Sequence, residues 1–272
     1  MVLKQLYEKH RSPSTLNDCT HQSWHFPFGQ PVLPVVQQDR RPKKVFVLGV
    51  YASAVHARWK RNGKTLVPAL AVASEPYIFW IGDGADEIIR RIAIPPELGT
   101  LEPAANNLNG PSGNVLDKQF LRPLGFTRED AWLCDLVPHS CMNPRQEAAL
   151  KRESAKLGVP IPSSVPRPPD TLAAPKRRQE ILDELQESQA PLLVLLGDQP
   201  IKWFLKPLGG QWSRLSDFQP YGKRHPVKLD GWEGEVLPLC HPRQAGRLGQ
   251  SSEKWTRMHQ EWMTSSDKEQ RT

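Results

Sequence analysis

Short, continuous apolar runs separated by longer polar or amphipathic stretches set the pattern of this chain. Four runs have the length and composition of strands buried on both faces of a sheet, and they cover residues 45–48, 131–137, 191–197 and 235–240. A further apolar run, 77–81, is a fifth candidate strand, whereas the segment 51–64 is expected to be a loop. Helical spacing and helix-end signals predict helices near 2–10, from 86 onward, and over 115–124, 145–156, 176–188, 199–208 and 251–264.

Buried strands that alternate with helices predict an α/β fold. We expect three layers, α/β/α, around a mostly parallel central sheet of about four strands. The pattern divides the chain into an N-terminal extension packed on the domain (1–42), one domain (43–265) and a disordered tail (266–272).

The charge and the cysteines narrow the functional classes. The formal net charge of +7 favours a polyanionic partner, because basic groups near phosphates release condensed counterions. No apolar run has the length of a membrane span, and the N-terminus lacks the apolar stretch of a signal peptide. The four cysteines form no Cys-x-x-Cys pair, which predicts neither a metal site nor a disulfide framework. We therefore expect a cytoplasmic protein that binds nucleic acid, needs no cofactor and does not contact a membrane.

The loops that follow three predicted strands are the places to look for a site. In parallel sheets, ligands bind at the carboxyl ends of the strands. The loops after Gly49, Asp135 and Cys240 lie at such ends.

The same three loops carry a resemblance to a known family. Four segments contribute to it in order: VLGVYASAVHARW from 47, GPSGNVLDKQFLRPLGFTREDAWLCDLVP from 110, PLLVLLGDQPIKWFL from 191, and VLPLCHPRQAGRLGQSSEKWTRMHQEW from 236. Over 44–263 the chain resembles the uracil-DNA glycosylase superfamily, and within it the bacterial anti-phage enzymes that excise glucosylated hydroxymethylcytosine. It lacks the paired cysteines of the iron–sulfur branches, and it has Arg243 where the family's His-Pro motif continues with Ser.

The resemblance implies two residues that act on an extruded base. His241 matches the family histidine that donates a hydrogen bond to the base O2, where negative charge develops as the base leaves. Asp135 stands where the family usually has the base-reading Asn. A carboxylate cannot donate to uracil O4, but it accepts well from the N4 amino group of cytosine, and a protonated carboxyl would also donate to cytosine N3. Asp135 therefore favours cytosine over uracil.

The first loop differs from the strict uracil enzymes, whose motif is Gly-Gln-Asp-Pro-Tyr-His. Tyr51 replaces the acid that activates water, and Ala52 replaces the Pro. Ser53 replaces the Tyr that packs against C5, so we expect space for a C5 substituent that Ser53 or His56 would contact. His56 and Asn109 are the candidates for water activation. The family's stacking aromatic is not evident in the sequence near Leu108.

The DNA-binding candidates follow His241 and the first strand. They are Arg243, Gln244, Arg247, Leu248, Arg58 and Lys60, with Leu248 as the apolar wedge and the basic residues on phosphates. The resemblance thus implies a metal-independent, monofunctional DNA N-glycosylase. We expect a monomeric hydrolase that binds double-stranded DNA, flips out a C5-modified cytosine and leaves an abasic site. Two alternatives remain open: a repair glycosylase for uracil or another deaminated base, and a catalytically inactive DNA-binding member.

Overall fold

The computed structural model describes residues 24–105, 107–246 and 253–269. Its strands are β1 (Val45–Tyr51), β2 (Ala54–Arg61), β3 (Lys64–Ser74), β4 (Thr100–Pro103), β5 (Ala131–Val137), β6 (Leu192–Leu196), β7 (His225–Leu229) and β8 (Trp232–Leu239). Its helices are α1 (Ala85–Arg90), α2 (Pro111–Leu116), α3 (Pro144–Leu157), α4 (Pro175–Ser188), α5 (Asp198–Pro200), α6 (Pro242–Ala245) and α7 (Glu253–Glu269). α2 and α5 each continue into a π-helical and a 3₁₀ turn, which end at Leu124 and Leu208.

A mixed five-stranded sheet forms the centre of the protein. The strand order is β5-β1-β6-β8-β7, in which the first four strands are parallel and β7 pairs antiparallel with β8 at the edge. Every residue of β5 and β6 is buried, which explains their uninterrupted apolar sequences. The α/β class and the four predicted parallel strands are confirmed, and the flanking helices are consistent with three layers. The short edge strand β7 was missed because its exposed positions alternate with covered ones.

A second sheet includes most of the segment 51–64, which the sequence predicted to be a loop. Its order is β3-β2-β4, all antiparallel, and β2 and β3 form a hairpin. The prediction of a loop over 51–64 was wrong because Asn62 and Gly63 both have positive φ, which closes a tight two-residue hairpin turn. The predicted strand 77–81 was also wrong, because the chain reverses there with Phe79 at φ 50.

Residues 24–42 and the C-terminal helix α7 pack or extend beyond the core of the predicted domain. Residues 24–42 contact the central sheet: the N–H of Val35 donates to the Pro138 carbonyl at 2.7 Å, and the Gln37 side chain accepts from the Leu133 N–H at 3.1 Å. The predicted helix 2–10 lies outside the described residues. α7 continues to Glu269, so residues 266–269 are helical and not the disordered tail that the sequence predicted. In the described part of the chain, no helix has the length and apolar character needed to cross a bilayer.

Candidate active site

The carboxyl ends of β1 and β5 come together at Gly49. Gly49 pairs with Asp135 across the parallel ladder. A Cβ atom on Gly49 would lie 2.2 Å from Asp135 Oδ1 and 2.7 Å from Phe79 Cζ, well inside van der Waals contact. Only glycine therefore lets the carboxyl group and the aromatic ring approach the same strand end.

Asp135 is a buried carboxyl at this point, with only 4% of its surface exposed. Burial raises its pKa to about 7, against the opposing effects of Arg177 and the Val50 N–H. Arg177 holds the backbone at the end of β5. Its guanidinium donates to the Asp135 carbonyl at 2.7 Å and to the Leu136 carbonyl at 3.3 Å. A group with this pKa exchanges its proton close to neutral pH.

Glu75 is a second buried carboxyl that the sequence did not reveal. One oxygen, Oε1, accepts the backbone N–H of Ser53 at 3.0 Å, and the other, Oε2, accepts that of Trp80 at 3.3 Å. Burial and, to a smaller extent, the negative charge of Asp135 raise the pKa of Glu75 to about 8. The two carboxyl groups thus interact, and Glu75 ties the first loop to the turn that carries Phe79. The sequence did contain one indication of this residue, because Glu75 is a single charged residue inside the apolar stretch 66–81.

Phe79 is the aromatic residue beside the strand end. Its backbone is held by Arg128, whose guanidinium donates to the carbonyls of Phe79 at 2.5 Å and Ile78 at 3.3 Å and pairs with Asp117 at 2.8 Å. Gly113 allows this, since a Cβ atom there would lie 2.1 Å from the Phe79 carbonyl oxygen. The sequence placed Phe79 in a strand and sought an aromatic near Leu108, so this residue was missed.

His241 follows β8 and caps α6. The ring Nδ1 of His241 accepts the backbone N–H of Arg243 at 3.2 Å. The backbone N–H of His241 donates to Gln244 Oε1, also at 3.2 Å. Burial and, to a smaller extent, the positive charge of Arg243 lower the pKa of His241 to about 4. The ring is therefore neutral at pH 7, and because Nδ1 accepts, the proton lies on Nε2. Gly197, at the end of β6, leaves room for His241: a Cβ atom there would be 3.3 Å from His241 Cβ.

A buried hydrogen-bond chain holds the backbone before His241. The N–H of Cys240 donates to Tyr221 Oη at 3.0 Å, and Tyr221 Oη lies 2.7 Å from His259 Nδ1. His259, completely buried in α7, reaches the Gln119 carbonyl through Nε2 at 2.9 Å. This arrangement requires the Tyr221 hydroxyl to donate to Nδ1 and the His259 Nε2–H to donate to Gln119. The C-terminal helix thereby anchors the loop that carries His241.

The two candidates for water activation are joined to each other. The Asn109 amide binds the backbone of His56 on both sides, accepting its N–H at 2.8 Å and donating to its carbonyl at 3.0 Å. Burial lowers the pKa of His56 to about 4, so the ring is neutral. His56 Nδ1 is buried, and no hydrogen bond to it is found within the described residues. The backbone of Ala54 and Leu108 approaches the ring closely enough to oppose this lowering of the pKa, and the Asn109 amide is occupied in positioning β2.

The remaining first-loop residues have different environments. Ala52 is buried, Tyr51 is 45% exposed, and Ser53 is half-buried with its N–H on Glu75. The Ser53 carbonyl accepts the hydroxyl of Ser140. A cavity of about 250 Å³ lies between α3 and residues 160–167, and no predicted site residue lines it. Space beside Ser53 for a C5 substituent remains a prediction.

The predicted DNA-binding residues fall into four groups. Arg243 is exposed and lies close enough to His241 and His56 to affect the pKa of both. Gln244 is used in the cap of α6. Arg58 and Lys60 share Glu102, at 3.8 and 2.9 Å, so their charges are partly neutralised. Arg247 and Leu248 lie outside the described residues.

The chain has no match among protein-family models or characterised proteins. Across 24–105, 107–246 and 253–269, no group of three or more His, Cys, Asp and Glu side chains is arranged to hold a metal ion. A functional assignment therefore depends on the chemistry of the strand-end residues.

Proposed function

We propose that the protein is a DNA glycosylase of the uracil-DNA glycosylase type that hydrolyses the N-glycosidic bond of a C5-modified cytosine. One observation carries the proposal: a buried carboxyl, Asp135, lies beside Gly49 and the Phe79 ring at the same end of the sheet as the neutral imidazole of His241. A flipped base needs a surface to stack on, a polar group to read its edge, and a donor where charge develops. These three residue types correspond to those needs.

Base recognition would use Phe79 and Asp135. The half-exposed Phe79 ring offers a face for the extruded base, and Gly49 lets the base approach the strand end. The Asp135 carboxyl would accept the N4 amino group of cytosine and, when protonated, donate to N3. In the strict uracil enzymes of the superfamily that the chain resembles, a bulky Tyr packs against C5. The small Ser53 at that position supports a base with a C5 substituent, such as the glucosylated hydroxymethylcytosine of phage DNA.

Departure of the base would use the Nε2–H of His241. A fixed neutral donor stabilises the charge that develops on O2 without the cost of reorganising solvent. Because Nδ1 is already engaged by the Arg243 N–H, the donor position is set before the base arrives.

Delivery of water would use His56. Its Nδ1 is buried and has no hydrogen bond within the described residues, and a buried polar atom left in this way costs about 1–3 kcal/mol unless a partner binds it. A water molecule held there would be oriented for attack on C1′. The exposed Arg243, with Arg247 and Leu248, would engage the phosphates and the gap left by the extruded nucleotide.

The burial of Asp135 also favours one competing substrate. A protonated carboxyl presents one donor and one acceptor, and in the reverse orientation this pair matches O4 and N3–H of uracil. A uracil glycosylase is therefore the second candidate.

A panel of duplexes separates these possibilities. Duplexes with a single U, C, 5-hydroxymethylcytosine or glucosylated 5-hydroxymethylcytosine are incubated with the protein in chelator, and abasic sites are cleaved with alkali. Scission confined to a modified cytosine supports the proposal, and scission at U supports the second candidate. A gel shift without scission would indicate an inactive DNA-binding protein and overturn the proposal.

A further inference from the structure

A row of four residues runs from the first loop to the N-terminal segment, and three of them have no place in the function proposed above. It begins at Ser53, whose carbonyl accepts the hydroxyl of Ser140. The Nδ1 of His139 lies 3.1 Å from the Ser140 carbonyl, and the ring centroids of His139 and Trp24 are 4.8 Å apart. These four residues, Ser53, Ser140, His139 and Trp24, are called the Trp24 row below.

The Trp24 row starts beside the proposed base site. Glu75 accepts both the Ser53 N–H and the Trp80 N–H, so Ser53 lies within one side chain of the turn that carries the proposed stacking ring. The loops after β1 and β5 leave the sheet side by side, because the Ala52 N–H donates to the Val137 carbonyl at 3.4 Å. Ser53 stands where the strict uracil enzymes have the residue that packs against C5. A C5 substituent on the bound base is therefore expected to point along this row.

The three half-buried members of the row have unused hydrogen-bonding groups. Nδ1 of His139 carries the ring proton, because the Ser140 carbonyl can only accept. Burial lowers the pKa of His139, so the ring is neutral at pH 7 and Nε2 is an acceptor. Among the residues that the structure describes, no hydrogen bond is found to His139 Nε2, the Ser53 hydroxyl or the Trp24 Nε1–H. The row therefore offers one acceptor, one donor and one hydroxyl to a ligand.

The fold holds Trp24 in place. Its carbonyl accepts the N–H of Val32 at 2.9 Å. The next residue, His25, is bonded twice to Ser164: its N–H donates to the Ser164 hydroxyl at 2.8 Å, and its carbonyl accepts the Ser164 N–H at 2.9 Å. A ring whose backbone is fixed in this way loses little freedom when a ligand packs against it.

The chemistry of the row favours a neutral ligand with several hydroxyl groups. No member of the row has a charged side chain at pH 7, so none supplies the cation that a carboxylate or phosphate substituent needs. A purely apolar substituent would bury the free polar groups without partners. Hydroxyl groups both donate and accept, which suits all three free groups. The C–H bonds of a pyranose ring are weakly positive and pack against the negative face of an aromatic ring.

We propose that the Trp24 row binds a hexose attached to the C5 hydroxymethyl group of the target cytosine, and that it makes the protein selective for glycosylated bases. The inference rests on the proposed function. The Trp24 ring packs against the pyranose, His139 Nε2 accepts a sugar hydroxyl, and the Ser53 hydroxyl bonds near the linking oxygen. Trp24 lies outside 44–263, the part of the chain that resembles the glycosylase superfamily, so this contact belongs to the N-terminal segment of this chain.

Cleavage rates on a set of modified duplexes test the proposal. Each duplex contains one 5-methyl-, 5-hydroxymethyl-, 5-carboxyl- or glucosylated 5-hydroxymethylcytosine, and kcat/KM is measured on each. The wild type should prefer the glucosylated base. Trp24→Ala should lower kcat/KM on that base by about 10–100-fold and leave the value for 5-hydroxymethylcytosine within a factor of about two. His139→Phe, which keeps a ring beside Trp24 but removes the acceptor, should lower the same ratio of rates.

A matched control and two contrary outcomes complete the test. Trp212 is another half-buried tryptophan in contact with a histidine, His225, at the opposite edge of the central sheet, and Trp212→Ala should leave the ratio unchanged. A wild-type preference for the 5-carboxyl or 5-hydroxymethyl base would overturn the proposal. An equal loss on every duplex in Trp24→Ala would mean that Trp24 only supports the loops, and would overturn it as well.

Equilibrium binding separates this proposal from the glycosylase function. His241→Ala should cleave slowly, so its affinity for the same duplexes can be measured by fluorescence anisotropy. It should bind the glucosylated duplex more tightly than the hydroxymethylated one, and adding Trp24→Ala should abolish that difference. If this preference is found but the wild type cleaves no duplex, the sugar site stands and the glycosylase proposal fails. If the wild type and Trp24→Ala cleave both bases with the same ratio, the glycosylase proposal stands and the sugar site is refuted.

Discussion

Nδ1 of His241 accepts the backbone N–H of Arg243 at 3.2 Å. This single contact fixes the tautomer of a partly buried neutral imidazole, because a nitrogen that accepts cannot also carry the proton. The other nitrogen, Nε2, is left as a donor whose direction is set by the cap of α6. The donor therefore depends on the fold and not on the pH of the solution near neutrality.

The first prediction concerns this donor. His241→Ala should lower the single-turnover rate on the preferred duplex by about 10²–10³-fold, as for loss of a donor to a developing anion. Quenched-flow or manual sampling with alkali cleavage measures the rate. His225→Ala, at the edge strand β7, is the matched control. A His241→Ala rate within a factor of two of the wild type would remove His241 from the reaction.

The second prediction concerns the choice of base. Asp135→Asn replaces a carboxyl with an amide that donates to O4 and accepts from N3–H, so it should lower activity on the modified cytosine and raise activity on uracil. The ratio of rates on the two duplexes is the measurement. Asp183→Asn, on the exposed side of α4, should leave that ratio unchanged. An unaltered preference in Asp135→Asn would show that Asp135 does not read the base.

The third prediction concerns the stacking surface. Phe79→Leu keeps an apolar side chain of similar size but removes the ring, and base–aromatic stacking contributes about 1–3 kcal/mol. We expect weaker binding of a duplex with an abasic site plus free base, and a rate lowered about 5–100-fold at subsaturating protein. Phe79→Tyr should retain most activity. Equal activity of the Leu and Tyr variants would exclude stacking on this ring.

The fourth prediction concerns the support of the His241 loop. Tyr221→Phe removes the hydroxyl between the Cys240 N–H and His259 Nδ1 and leaves two buried groups without their partner. Each such group costs about 1–3 kcal/mol, so urea unfolding should give a clearly lower unfolding free energy. Tyr77→Phe, whose hydroxyl binds the exposed Asp83, should cost much less. Equal decreases of the unfolding free energy in the two variants would show that the buried hydrogen bonds of Tyr221 contribute no more stability than an exposed one.

Apolar periodicity predicted the central sheet but not the second one. The runs that became β1, β5 and β6 are buried on both faces, and a strand in that position needs little besides continuous apolar residues. The hairpin β2–β3 depends on the Asn62-Gly63 turn, which local turn chemistry signals and hydrophobic pattern does not. In the run 77–81, Ile78 and Trp80 are buried, yet Arg128 and Gly113 hold the run as a chain reversal.

The sequence by itself determined where along the chain the buried strands lie, and therefore which loops follow their carboxyl ends. It also identified Asp135, His241 and His56, because these residues occur next to or within those loops. Only the tertiary structure decided that Glu75 and Phe79 belong with them and that the Asn109 amide is engaged by backbone. The physical reason is that burial, hydrogen-bond partners and the repulsion of two carboxyl groups depend on distances between segments far apart in the chain, and periodicity within a segment carries no information about those distances.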